Sequence, residues 1–494
     1  MPHNAIKDIS VLEKAKFEKL EKLNLGDNYI SNINILENVN FKELKELELS
    51  DNGIKDISVL EKVKFEKLEK LNLSWNIISN LNILESINFK QLKELYFQDS
   101  GIKDISVLGK VKFEKLEKLK LCGNEISNIN ALENANFKQL KELHLPHNEI
   151  SDISVLEKVK FEKLEKLTLG YNKISNINIL ENANFKQLKE LHLHNDEIKY
   201  INVLGKVKFE KLEKLNLGYN KISNINILEN VNFKQLKELH LPHNEISDIS
   251  VLEKVKFEKL EKLVLGRNNI SNINNLENMN LKELKELYLS YNEITDISVL
   301  TKVNFQKLEI LDLTVNEISN INILENVDFK RLKELYLNYN KIININVLEN
   351  VKFKKLEKLE LSWNRISNIN ILKNVNFKEL KEINLSYNRI NDISIFEKVK
   401  FEKLEILHLN SNRISNINIL KNVNFKELKE LNLSDNEIND ISILEKVKFG
   451  KLEILDLSEN KICNRFYSII DALKTKFKII FNNFNKILRI TKYI

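Results

Sequence analysis

The sequence predicts an α/β solenoid of stacked repeats. A parallel β-sheet lines one face, short 3₁₀ or helical turns line the other, and a helical segment caps the C-terminus. Three observations carry this expectation. The motif LxxLxLxxNxI starts at Leu20 and recurs every 24 residues to Leu452, giving nineteen copies without an insertion. The apolar residues of one copy are too many for that copy to bury alone, whereas stacked copies share a continuous core. The 494 residues include only 10 Gly and 3 Pro, too few to build flexible linkers between independent domains.

Each element follows from the spacing inside a copy, counted with the first Leu as position 1. Positions 3 to 6 alternate polar and apolar, the period of a strand. Positions 14, 17 and 20 recur every three residues, which suits a 3₁₀ turn on the return path. Position 22 is Phe from Phe17 to Phe449 with Leu281 as the exception, which reads as an aromatic spine. One set runs Leu212, Leu215, Leu217, Ile222, Ile225, Leu228, Val231 and Phe233. Position 9 is Asn in every copy but two, which carry Ser100 and Asp196; an Asn there can satisfy buried backbone groups of adjacent copies. Residues 1–19 form a partial repeat with Asn4, Ile6, Ile9, Leu12 and Phe17, residues 20–463 the nineteen copies, and 464–494 a basic, amphipathic tail.

Charge follows a 48-residue super-repeat. Position 3 runs Lys22, Glu46, Lys70, Glu94, and position 2 runs with the opposite sign. Equivalent positions of adjacent parallel strands lie about 4.8 Å apart, so alternation sets opposite charges side by side. The tail carries the whole net charge of +6 and leaves the body neutral, which disfavours electrostatic capture of nucleic acid.

The motif, the Asn ladder and the Ile-x-x-Ile-x-x-Leu continuation resemble the leucine-rich-repeat superfamily, and within it the subclass of the type-1 protein phosphatase regulatory subunit and the bacterial internalins. The unit here is two residues longer than that subclass's usual one, and cysteine-rich caps are missing from the sequence. The resemblance implies a horseshoe with strands on the concave face, and a partner held on that face.

With core and ladders set aside, positions 5, 7, 8 and 10 are left to face or edge the concave surface, and the rare residues gather there. One patch holds His144, His147, Tyr171, His192, His194, Tyr219, His240 and His243. Protonation near pH 6.5 would make it pH-sensitive. Metal binding is conceivable for His192 and His194 alone, since His144, His192 and His240 stand two strands apart, too far for one ion. A second patch combines an aromatic row at position 8 (Tyr291, Tyr339, Trp363, Tyr387) with Tyr288 and Tyr336 at position 5. Beside it runs a basic row, Lys341, Arg365, Arg389 and Arg413, which breaks the alternation and suits an acidic segment of a protein partner.

No phosphate-binding Gly-rich loop, nucleophile elbow or paired-carboxylate site appears, so neither catalysis nor a cofactor is expected. Cys122 reads as an exposed thiol without a base nearby. The first copy needs Met1–Phe17 as a partial cover, or further chain before it. In the tail, Phe466, Ile469, Ile470, Leu473, Phe477, Ile480, Phe481, Phe484, Ile487 and Leu488 fall at helical spacing, a capping helix whose basic second half can touch an anionic membrane. The sequence has no signal-peptide-like start, no run of 18 apolar residues, and Asn-x-Ser acceptors (Asn72, Asn384, Asn432) on the strands, which together point to a cytoplasmic location. The expected function is that of a monomeric, non-catalytic scaffold for a protein partner. The alternative is a membrane-surface or adhesin-like protein tethered by its tail.

Overall fold

A computed structural model of the chain describes residues 3–15, 17–447, 450–474 and 478–480. It divides into two compact units, Met1–Glu245 with Val255–Phe257, and Ile246–Lys254 with Glu258–Ile494. The first contains ten three-residue strands, β1 (Lys22–Asn24) to β10 (Glu238–His240), one per copy. The second contains β11 (Lys262–Val264) to β19 (Ile454–Asp456) and a further strand, β20 (Lys478–Ile480). Within each unit neighbouring strands are parallel and in 24-residue register, as in Lys22↔Glu46 and Leu335↔Leu359.

The strands cover positions 3 to 5, with position 4 buried and its neighbours at the surface, as strand alternation dictates. Positions 15 to 18 form a 3₁₀ turn in the first eighteen copies, for example Asn34–Glu37. An Asn or Asp at position 13 starts it: Asn32 Oδ1 accepts the amide of Asn34 at 2.8 Å, and Asp152 does the same for Ser154. This local device is legible in the sequence, yet periodicity alone does not reveal it.

The core is the set of positions read from the pattern except position 20, which is only half-buried in several copies, Val231 among them. Leu212, Leu215, Leu217, Ile222, Ile225, Leu228 and Phe233 are all at most 2% exposed. Phe rings of adjacent copies stack at 6.2 to 6.5 Å, as in Phe137–Phe161 and Phe329–Phe353, and Leu281 is buried in the spine's one gap. The Asn ladder links consecutive copies. Asn316 Nδ2 donates to the carbonyls of Leu289, Leu313 and Thr314 at 3.0, 3.1 and 3.3 Å, and its Oδ1 accepts the Ile294 amide at 3.0 Å. One side chain thus satisfies four backbone groups.

The charge ladder forms as pairs within each two-copy block. Lys22–Glu46 and Lys166–Glu190 close at 2.7 and 2.6 Å, and on the adjacent row Lys45–Glu21 and Lys285–Glu261 close at 2.9 and 2.8 Å. Each exposed pair contributes only about 0–1 kcal/mol, so the ladder acts on register more than on stability. It is not unbroken: Ile310, Ile406 and Ile454 take the Lys place in the second unit, and Glu430, lacking a Lys on either side, accepts His408 Nε2 at 3.0 Å instead.

At the N-terminus the partial repeat joins the ladder. Asn28 Oδ1 accepts the Ile6 amide, and Ile9 and Leu12 are buried. No strand among the described residues pairs on the outer side of β1. At the other end the cap is shorter than the helical spacing suggests. Helix α1, Tyr467–Lys474, seats Ile469, Ile470 and Leu473 against the last copy. The chain then turns into β20, which pairs in parallel with β19. The open edge of β19 offers backbone groups that a strand satisfies and a helix does not. The expected membrane-facing stretch, with Phe481, Phe484, Ile487 and Leu488, lies outside the described residues. Among those described, no helix is long and apolar enough to cross a membrane.

Candidate partner-binding surface

Position 8 has a backbone property that the hydrophobic pattern does not show. All nineteen copies hold it in the left-handed region, from Asp27 at φ 62° to Glu459 at φ 54°. Only one of the nineteen is glycine, Gly123. For other residues this conformation costs about 1–2 kcal/mol, least for Asn and Asp. The corner is held by a bond to the next copy: the Tyr339 amide donates to the Ser362 carbonyl and the Trp363 amide to Ser386, at 2.9 and 3.0 Å. A bulky ring there gains nothing from the backbone and points outward just past the strand end. Tyr171, Tyr219, Tyr291, Tyr339, Trp363 and Tyr387 are all 38–46% exposed.

In the second unit Tyr339, Trp363 and Tyr387 form one stack, with centroids 4.9 and 4.0 Å apart and planes within 10°. Tyr291 does not join the stack; Val315 intervenes in sequence, and the Arg267 guanidinium covers its ring at 3.8 Å. The basic row is also shorter than its sequence. Lys341 pairs with Glu317, while Arg365, Arg389 and Arg413 are exposed and have no ion pair among the described residues. The structure thus brings a three-ring stack beside three arginines.

Tyr288 and Tyr336 project from the strands instead, and the charge ladder engages them. Tyr288 donates to Glu286 at 3.0 Å with Lys262 Nζ 4.9 Å from its ring; Tyr336 donates to Glu334 at 2.6 Å. Burial and the adjacent carboxylates raise both phenols well above their ordinary range.

The histidine patch divides in the same way. Glu142, Glu190 and Glu238 accept from Nε2 of His144, His192 and His240 at 3.0, 3.2 and 2.9 Å, and these rings are only 13–18% exposed. Burial lowers the pKa of His144 and takes that of His192 to about 4, against the pull of Glu142 and Glu190. The expected titration near pH 6.5 therefore fails for these two, because the strand face withholds water from the imidazolium. At the corners His147 stacks on Tyr171 at 4.0 Å and Tyr219 on His243 at 3.8 Å. The His192 and His194 rings lie 6.3 Å apart, and no three His, Cys, Asp or Glu side chains converge as a metal site among the described residues.

Next to His194 stands a defect in the ladder. Asp196 occupies the Asn place and is 8% exposed; its Oδ1 accepts the amides of Asn172 and Ile174 at 3.1 and 3.2 Å. Where Asn presents an NH₂, Asp196 presents Oδ2, and neither it nor His194 Nδ1 has a hydrogen-bond partner among the described residues. Burial pushes the Asp196 carboxyl up to about 7 despite its two amide donors. His194 fits because residue 170 is glycine: a Cβ there would lie 2.6 Å from its ring. Cys122 is half-buried rather than exposed, and burial raises its thiol to about 11, so it is not a reactive site.

Comparison with known proteins follows the same lines. Models of the family described as Leucine rich repeat match residues 234–294, 282–342 and 427–443, and one described as Leucine Rich repeats (2 copies) matches 138–182 and 378–422. No curated protein matches the sequence. Among solved structures, an internalin from Listeria monocytogenes is 28% identical with a TM-score of 0.54, over 65% of this chain and 86% of that one. A leucine-rich-repeat protein of Leptospira interrogans is 22% identical with a TM-score of 0.57, over 96% and 99%. The ectodomain of a plant membrane receptor kinase, GASSHO1/SCHENGEN3 from Arabidopsis thaliana, is 20% identical with a TM-score of 0.59, over 97% and 63%. With the 24-residue strand register, the Asn ladder and the 3₁₀ return turns, these matches identify the repeats of this chain as leucine-rich repeats.

Proposed function

We propose that the protein is a non-catalytic interaction scaffold that holds an acidic segment of a protein partner along the exposed face of its second unit, at the rim where the ring stack meets the arginines. One observation carries the reading: Tyr339, Trp363 and Tyr387 occupy a backbone corner that disfavours bulky residues, and are stacked and exposed beside Arg365, Arg389 and Arg413. The left-handed corner is common to every copy, so it is the stacking and exposure of bulky rings there that motivates a functional reading, and aromatic and Arg side chains dominate interface energetics. The arginines supply charge-assisted bonds to carboxylates, and the rings an apolar platform. The plant ectodomain of similar fold was solved in complex with its ligand, CASPARIAN STRIP INTEGRITY FACTOR 2, which is consistent with a ligand-holding role for this fold. Enzymatic chemistry has no support in the geometry, since the His, Glu and Tyr side chains of the strand face are engaged with one another.

The test is affinity selection of an Asp/Glu-rich peptide library on the full chain, followed by direct titration of a selected peptide. Trp363→Ala combined with Tyr339→Ala is expected to weaken binding at least tenfold and leave the unfolding temperature within a few degrees. Selected peptides that bind this variant as well as the native chain refute the assignment.

A further inference from the structure

A third charge row, at positions 23 and 24 in the turn leading into each strand, follows the same alternation, goes neutral at Gln306 and Gly450, and reverses sign at one place. Position 24 is Lys in even copies, and outside one place it faces an acceptor in the copy before: Lys67 bonds Glu43 at 2.6 Å, Lys163 Gln139 at 2.5 Å, Lys403 Glu379 at 2.6 Å and Lys451 Glu427 at 2.6 Å. Eight of the nine odd copies from Glu43 to Glu427 provide Glu or Gln there; the ninth has Arg331. In the next copy position 23, which is Glu at 18, 66, 114, 162, 210, 258 and 402, is Lys354. The two reversals adjoin each other, so Lys330, Arg331, Lys354 and Lys355 make a block of four cations at strand spacing.

The block is not compensated from within. Lys330 has Asp328 at 3.0 Å, whereas Arg331, Lys354 and Lys355 are exposed and have no ion pair among the described residues. Glu379, in the following copy, feels the charge of Lys355 but is bonded to Lys403. On the other side Lys307 is bonded to Glu283 at 2.5 Å, and together with Lys330 and Arg331 it borders a hollow of about 420 Å³. What the block lacks is the acceptor that other copies supply at position 24.

We propose that this edge of the second unit is a separate docking surface for an acidic protein segment, whose carboxylates take the acceptor places that Arg331 and Lys354 have vacated. It goes beyond the rim described above, since it lies at the leading end of the strands and the rim lies past their trailing end. Carboxylate is favoured over nucleic acid because this edge offers no ring for base stacking: Phe329 and Phe353, which precede the cations, are each 1% exposed.

The experiment measures binding of the full chain to labelled poly-L-glutamate of about twenty residues by fluorescence anisotropy, at low salt. Arg331→Glu reinstates the residue type of the other odd copies and places a carboxylate beside Lys355, so the fold is kept. Compared in a chain whose rim is weakened by Arg389→Glu, it is expected to lower binding at least fivefold, and Lys55→Glu, an exposed lysine outside both surfaces, less than twofold. Lys354→Glu is a second, independent restoration with the same expected loss. Equal binding by the Arg389→Glu chain and by both restored variants built in it overturns the proposal. A loss with Arg389→Glu alone moves the site to the rim. Tighter, Arg331-dependent binding to phosphatidylserine vesicles or to duplex DNA than to poly-L-glutamate replaces the partner class.

Discussion

Asp196→Asn should stabilise the protein, in a way that depends on pH. A ladder Asn such as Asn316 donates to three carbonyls and accepts one backbone amide; Asp196 can only accept while ionised, and its Oδ2 is buried without a partner among the described residues. Its carboxyl is raised from 3.8 to about 7 by burial. At 1.36 kcal/mol per unit the ionised group costs the folded state roughly 4 kcal/mol, an upper figure since the unfolded chain is itself partly compact. Because the folded value lies above the unfolded one, this cost is absent below pH 4, grows as pH rises towards 7, and is complete above it. The variant should therefore exceed the native chain in stability by several kcal/mol at pH 8 and by much less at pH 5. Long repeat arrays need not unfold in one step, so denaturant unfolding should be paired with hydrogen exchange at the Asn172 and Ile174 amides, compared at equal pH. A stability difference that is the same at pH 5 and pH 8, or that favours the native Asp at pH 8, refutes the reasoning.

Two further outcomes follow from the same geometry. Asn316→Ala strands the Ile294 amide and three carbonyls and should cost at least about 3 kcal/mol, given about 1–3 kcal/mol per unsatisfied buried group; an unfolding shift below about 1 kcal/mol would show that water replaces the side chain. His192, held near 4 by burial, contributes stability that is full above pH 6.5 and is lost as pH falls from there towards 4. Its ring resonances should titrate near 4 by NMR, and a midpoint at 6.5 would mean that the strand face is open to solvent.

The fold was almost wholly legible because each of its determinants is repeated: Leu215, Ile222 and Phe233 recur at the same offsets in copy after copy, and Asn220 bonds as the ladder requires. The left-handed corner was not, since backbone dihedrals leave no hydrophobic period. Its trace is weak, an Asp, Asn or Gly at position 8 in Asp27, Asp51, Asp99, Gly123, Asn195 and Asp435. The candidate site residues fall at several positions that the sequence pattern does not sort. Sequence places His192 and Tyr219 in one patch, while the structure binds the first to Glu190 and stacks the second on His243. Which neighbour a side chain selects depends on distances between copies that the pattern fixes only on average. The cap shows the opposite limit: FKII reads as a continuing helix by spacing, and the unpaired edge of β19 turns its last residues into a strand.

Hydroxyl-radical footprinting of the exposed aromatics, with and without a selected acidic peptide, addresses the rim most directly. Protection confined to Tyr339, Trp363 and Tyr387, with Trp75 and Tyr200 oxidised at unchanged rates, is the predicted result. Protection of Trp75 or Tyr200 while Trp363 stays as reactive as in the unbound chain would contradict it.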